Sequence, residues 1–181
     1  PLGQSIRGRL STNSSSWITT KAFSTAGNFK ILLSFSHIAK LEFQDSALVQ
    51  ISTDGGNTFV TLSGQNCVYL GGSSNFRTFN RFNQVSYPNP TDWNSAQLGA
   101  IPTNAWFKRE LFDISTIAAN QADVRVRFKL SDANGNGLGS NPAGYGWLVD
   151  SVLVTSSLSE LIQPQIAHTP IRGTQFNIDQ T

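Results

Sequence analysis

From residue 30 to residue 43 the chain alternates apolar and polar side chains with period two. Ile31, Leu33, Phe35, His37, Ala39, Leu41 and Phe43 fall on one side, with Lys30, Ser34, Ser36, Lys40 and Glu42 between them. Successive side chains leave a strand on opposite faces, so this pattern predicts a long strand with one buried face. Ala47, Val49 and Ile51 repeat the alternation and lead into Asp54-Gly55-Gly56-Asn57. Those residues supply the positive φ angles of a tight turn, so a hairpin returning over Phe59 to Leu62 is expected. Val124, Val126, Phe128 and Leu130 alternate with Arg125, Arg127 and Lys129, another half-buried strand. Segments 105–115 and 145–155, with a weaker one at 16–23, complete the set. The stretch 115–121 allows a short helical turn, and nowhere does a 3.6-residue period persist for three turns. Many strands joined by Gly-rich and Asn-rich turns predict an all-β protein, a two-sheet antiparallel jelly-roll sandwich.

Residues 63–104 show little alternation, and loops of that length carry function or hide short strands. After Ser157 the character changes. Gln163 to Pro170 reads as an extended linker, and residues 174–181 read as the first strand of a neighbour. The expected division is a jelly-roll module over 1–157, then a linker and the start of a following domain over 158–181.

Composition narrows the setting. A chain of 181 residues with 39% hydrophobic content can bury one core. Charged residues make up 13%, about half the usual share, and the neutral polar surface this implies is common in extracellular β-proteins. A secreted or cell-surface location is therefore expected. The net charge of +2, with its cations scattered, gathers no polyanion, which argues against nucleic acid as a partner. Cys67 is the single cysteine, so no intrachain disulfide forms and stability must come from packing and hydrogen bonds, with room for a bound ion. No run reaches the roughly 20 apolar residues of a membrane span, so no membrane insertion is expected. A start at Pro1 and the absence of Met suggest a piece of a longer precursor.

Four segments in order carry a resemblance: Asp45 to Gly56, Phe112-Asp113-Ile114-Ser115, Val124 to Asp132, and Gly146 to Val154. Over about residues 16–156 they resemble the strands of cleaved-adhesin domains of gingipain-type proteins and of MAM-like domains. Modules beside immune-inhibitor-A-type metalloproteases are similar. Phe59 stands where such modules commonly have Trp, and Ser151 where a second Asp is common. The tail from Pro164 to Pro170 is similar to linkers that precede fibronectin-like domains in bacterial surface and secreted proteins. The resemblance implies a non-catalytic adhesion or ligand-binding module of a multidomain protein. Its partners would be a surface glycan or a host or matrix protein, together with neighbouring domains of its own polypeptide. Two further readings stay open: a carbohydrate-binding module attached to a secreted enzyme, and a structural spacer or protease accessory domain with no ligand.

Calcium is the cofactor this reading brings in. Glu42 and Asp45 end a long strand, and Asp150 lies near the position where related modules hold a structural ion. An inward Asp150 must be paired or metal-bound, while an outward one needs only local hydrogen bonds. Asp132-Ala-Asn134-Gly-Asn136-Gly137 matches the first half of a calcium loop, but its twelfth position is Ala143 instead of Glu, so a Gly/Asn turn is the competing reading. For ligand binding, Tyr69, Tyr87 and Trp93 offer flat apolar faces near Arg81, Asn83, Asn89 and Asp92, the mixture a sugar ring needs. Aromatics in such loops also fill the core beneath them. Arg125, Arg127 and Lys129 are expected to form a solvated face pairing with Glu110 or Asp113. His37 is expected to be a hydrogen-bonded core residue, and Trp106 and Trp147 core residues of strands. No histidine has an acid or thiol at a catalytic spacing, so no catalytic residue is assigned and the chain is not expected to be an enzyme.

Overall fold

The computed structural model describes residues 6–8, 15–41, 45–71, 80–83, 86, 103–132, 146–156, 161–162, 166–167 and 177–178. Its strands are β1 (Ile6–Gly8), β2 (Ser15–Thr20), β3 (Ile31–Lys40), β4 (Ser46–Ser52), β5 (Val60–Thr61), β6 (Val68–Gly71), β7 (Lys108–Asp113), β8 (Arg125–Ser131) and β9 (Gly146–Ser156). Three two-residue strands follow: β10 (Leu161–Ile162), β11 (Ile166–Ala167) and β12 (Asn177–Ile178). One helical turn, α1 (Ser115–Ala118), stands where a short turn is predicted.

The winding follows from which strands pair. β1 meets β9, β2 meets β8, β3 meets β7 and β4 meets β5, every pair antiparallel. This nesting is that of one long hairpin folded over on itself, the jelly roll. Pairing of β3 with β9 and of β4 with β8 closes the two sheets. One sheet runs β12-β1-β9-β3-β7-β6 with β10 beside β9, and the other runs β11-β2-β8-β4-β5. The described pieces of the tail therefore lie against the sandwich, on β9, β2 and β1.

Between the sheets lies the core that alternation predicts. Ile31, Leu33 and Phe35 of β3 face Val49 and Ile51 of β4 and Val126 and Phe128 of β8 across the interior. Phe35 stacks on Phe112 and meets Phe82 and Phe128 edge-on, which places one aromatic ring at the centre of contacts from three directions.

Strand β9 departs from simple alternation. Ser34 of β3 pairs with Leu153 but Ser36 pairs with Asp150, so β9 holds one extra residue at Ser151, whose φ is 52°. This bulge lets both Val149 and Val154 reach the core, a spacing that period two forbids. Trp147 is buried in β9 as expected. Trp106 is half-buried in a one-turn 3-10 helix (Asn104–Trp106) instead of the strand, which starts only at Lys108. No helix among the described residues is long and apolar enough to cross a membrane.

Candidate functional site

Inside the sandwich a polar chain crosses one sheet. Trp147 Nε1 donates to His37 Nδ1 at 2.9 Å, His37 Nε2 lies 3.1 Å from Glu110 Oε1, and Tyr69 Oη donates to Glu110 Oε2 at 2.6 Å. These residues stand on β9, β3, β7 and β6, four neighbouring strands. The indole N–H can only donate, so Nδ1 of His37 offers its lone pair and the ring proton sits on Nε2, directed at Glu110. The His37–Glu110 contact is thus a hydrogen bond from a neutral imidazole. Both side chains are 0% exposed. Tyr69 turns its hydroxyl inward to this chain, not outward as a sugar platform requires. The sequence shows each of these residues but not their meeting, because 73 positions separate His37 from Glu110.

A second cluster forms at one end of the β2-β8-β4-β5 sheet. Ser46 pairs with Ser131 in antiparallel register, so Asp45, just before Ser46, and Asp132, just after Ser131, lie at the same strand end, and both are buried. Phe82 bridges Ala47 with two backbone hydrogen bonds, which brings Arg81 and Asn83 to this edge. Arg81 Nη1 donates to Ser46 Oγ at 3.3 Å, and the backbone N–H of Asn83, a fully buried residue, donates to Ser86 Oγ. Residues predicted for a calcium site and for a sugar platform therefore share one place. Asp45, Asp132 and Asn83 offer the hard oxygen donors that calcium prefers. Among the described residues no three His, Cys, Asp or Glu side chains converge as a metal centre. Asp150 lies elsewhere: it sits in the other sheet, half-buried beside the bulge, where Oδ1 accepts the Ser151 amide. Glu42, Tyr87, Asp92 and Trp93 lie outside the described residues.

The outer face of that same sheet departs from expectation. β8 belongs to the sheet opposite β7, so Arg125, Arg127 and Lys129 cannot pair with Glu110 or Asp113. Asp113 instead binds Lys30; burial pushes its pKa up, but hydrogen bonds from Lys30 and Ser115 outweigh this and hold it below the usual value. Arg125 pairs with Asp123 at 3.1 Å. Arg127 lays its guanidinium over the Phe59 ring, 3.4 Å from the centroid, and lies 5.1 Å from the centroid of the Trp17 ring. The alternation of β2 puts Ser16, Ile18 and Thr20 inside and Trp17 outside, where the turn after β4 delivers Phe59 beside it. Asp54 builds that turn: it accepts from Ser52 Oγ and from the Thr58 amide and hydroxyl.

The fold is thus an all-β antiparallel jelly-roll sandwich with one buried polar chain in its apolar core and an aromatic, cationic outer face. No protein-family model matches the chain, and no curated protein sequence matches it either.

Proposed function

We propose that this chain is a non-catalytic ligand-binding module of a secreted or cell-surface multidomain protein, of the cleaved-adhesin or MAM-like kind that its strands resemble. It binds through the outer face of the β2-β8-β4-β5 sheet. The observation that carries this reading is Trp17 and Phe59 framing Arg127 on a rigid sheet surface, where flat apolar rings stand beside polar groups. The sealing of His37 and Glu110 supports a binding role over a catalytic one. Calcium stiffens the end of the sheet at Asp45, Asp132 and Asn83, leaving the outer face for the ligand. A glycan array probed with the intact chain and with Trp17→Ala tests the proposal. Retention that disappears with Trp17→Ala supports it. A silent array, together with no retention on cell-wall or matrix-protein surfaces, favours the spacer reading.

A further inference from the structure

Arg127 and Lys129 project from the outer face of the β2-β8-β4-β5 sheet. Among the described residues, no carboxylate oxygen pairs with either, whereas Arg125, two residues earlier on the same strand, is neutralised by Asp123. Arg127 is held in place on three sides: Nε donates to Thr19 Oγ1 at 3.2 Å, and its guanidinium is flanked by Phe59 and Trp17. That packing strips water from the guanidinium, and burial lowers its pKa with no opposing charge to offset it. A cation desolvated in this way gains from an arriving anion more than a free surface lysine does.

The neighbours indicate what carries the anion. In the row through Arg127, the pairing sets Thr19, Gln50 and Thr61 beside it, and in the next row Trp17 and Leu48 flank Lys129. Short hydroxyl and amide groups suit the hydroxyls of a sugar ring, and an indole face suits its C–H side. Residues two apart on a strand stand about 7 Å from each other, so Arg127 and Lys129 form two charged stations along a line. A net charge of +2 gives no long-range field of the sort that draws nucleic acid to a surface.

We infer that this face binds a carboxylate-bearing acidic polysaccharide, its acid groups meeting Arg127 and Lys129 while Trp17 packs on a sugar ring. This rests on the ligand-binding reading above and adds the chemical class.

Affinity electrophoresis and calorimetry of the intact chain against polygalacturonate, its methyl ester and duplex DNA test it. Polygalacturonate should bind at least tenfold more tightly than the ester or the DNA, and its affinity should fall with added salt. Arg127→Gln and Lys129→Gln should each weaken binding about tenfold, and Arg125→Gln should leave it within about twofold, given a neutralised partner at that position. A thermal melt of each variant checks that the fold persists, and Arg127→Lys, which keeps the charge and loses the planar stacking, should bind at an intermediate level. Equal binding of acid and ester, lost with Trp17→Ala, overturns the acidic preference and leaves the ligand-binding reading standing. Equal binding of DNA, or indifference to Arg127→Gln and Lys129→Gln, overturns the inference as well. Binding to none of the three polymers overturns the inference, and the ligand-binding reading then falls only if the glycan array and the matrix-protein surfaces are silent too.

Discussion

Trp147 and His37, separated by 110 positions, join by an indole N–H donated to Nδ1 over 2.9 Å in the sealed interior. Since that bond fixes the imidazole proton on Nε2, it also orients His37 toward Glu110, whose second oxygen is taken by Tyr69. Each member bonds its neighbour, so removing one takes a hydrogen bond from the next. Trp147→Phe keeps the aromatic bulk but leaves Nδ1 of His37 facing a ring carbon, so it should cost about 1 to 3 kcal/mol, the penalty of an unmet buried acceptor. Tyr69→Phe should cost a similar amount by leaving one Glu110 oxygen without that donor. Urea unfolding of the singles and of the double variant checks both the cost and the coupling. Additive losses would show that the chain of bonds does not act as one network.

Gly55 sits at φ +79° in the turn after β4, with only Asn57 Nδ2, 3.9 Å away, near the space a Cβ would fill. Steric contact is therefore negligible there, and the backbone conformation alone sets the penalty. Gly55→Ala should destabilise by about 1 to 2 kcal/mol, and Gly55→Asn by less, since Asn tolerates the left-handed region. At Gly56, φ +89°, an added Cβ also meets Arg125 Nη1 at 3.3 Å, a mobile atom that can move aside. The unfolding midpoints of the three variants should rank Gly55→Asn above Gly55→Ala, with Gly56→Ala close to the latter.

This turn and its flanking strands are legible in the sequence because the information is local: alternation names the buried face and glycines name the bend. The same holds for β3 and β8, each with one face in the core. His37 as a hydrogen-bonded interior residue follows from its place in the alternation, but its partners do not, because they arrive from strands far along the chain. The bulge at Ser151 is hidden for a different reason. An extra residue shifts the parity within β9, and nothing in Asp150-Ser151-Val152 announces it. Arg127 looks like one of three equivalent outward cations, and only sheet membership separates it from Glu110 and Asp113 and sets it between Phe59 and Trp17. Asp45 and Asp132 each suggest an oxygen-rich site in sequence, and strand pairing is what places them at one end.

Cys67 donates its thiol to the Ser63 carbonyl, with Sγ to oxygen 3.2 Å, from a buried position. Burial pushes the thiol up from its ordinary 9.0 to about 11. A thiol is the neutral acid form, so a raised value in the folded state favours folding below the unfolded value near 9.0, and that contribution fades as pH climbs through about 11. Between pH 7 and 8 the folded chain should resist iodoacetamide, and 6 M urea should release full labelling. Rapid alkylation of the native protein at pH 8 would contradict the burial of this side chain.

Asp54 has the opposite sign. The Thr58 hydroxyl, then the Thr58 amide and the Ser52 hydroxyl, all bond the carboxylate and hold it well below the usual carboxylate range. A depressed folded value supports folding above the ordinary 3.8, and the support is lost as pH falls through the folded value. The stability gap between the native sequence and Asp54→Asn should therefore hold steady from pH 7 to about pH 5 and narrow progressively below pH 4. Urea midpoints of both proteins across that range measure it. A gap that does not change with pH would mean that the turn needs the shape of Asp54 and not its charge.

Calcium, placed at the end of the β2-β8-β4-β5 sheet under the proposed function, gives the last test. Asp45 precedes Ser46 and Asp132 follows its antiparallel partner Ser131, and two carboxylates brought to one strand end favour a cation between or beside them. Ion binding to the folded state alone stabilises it by mass action, so calcium at 10 to 100 times its dissociation constant should add about 1.4 to 2.7 kcal/mol and raise Tm. Chelation should reverse the gain. Asp45→Asn should remove most of the calcium response, whereas Asp150→Asn should preserve it, because Asp150 lies in the other sheet and bonds Ser151. A calcium response that survives Asp45→Asn but is lost with Asp150→Asn would move the ion to the bulge of β9, and a Tm indifferent to calcium and chelator in the native sequence would remove the ion from the proposal.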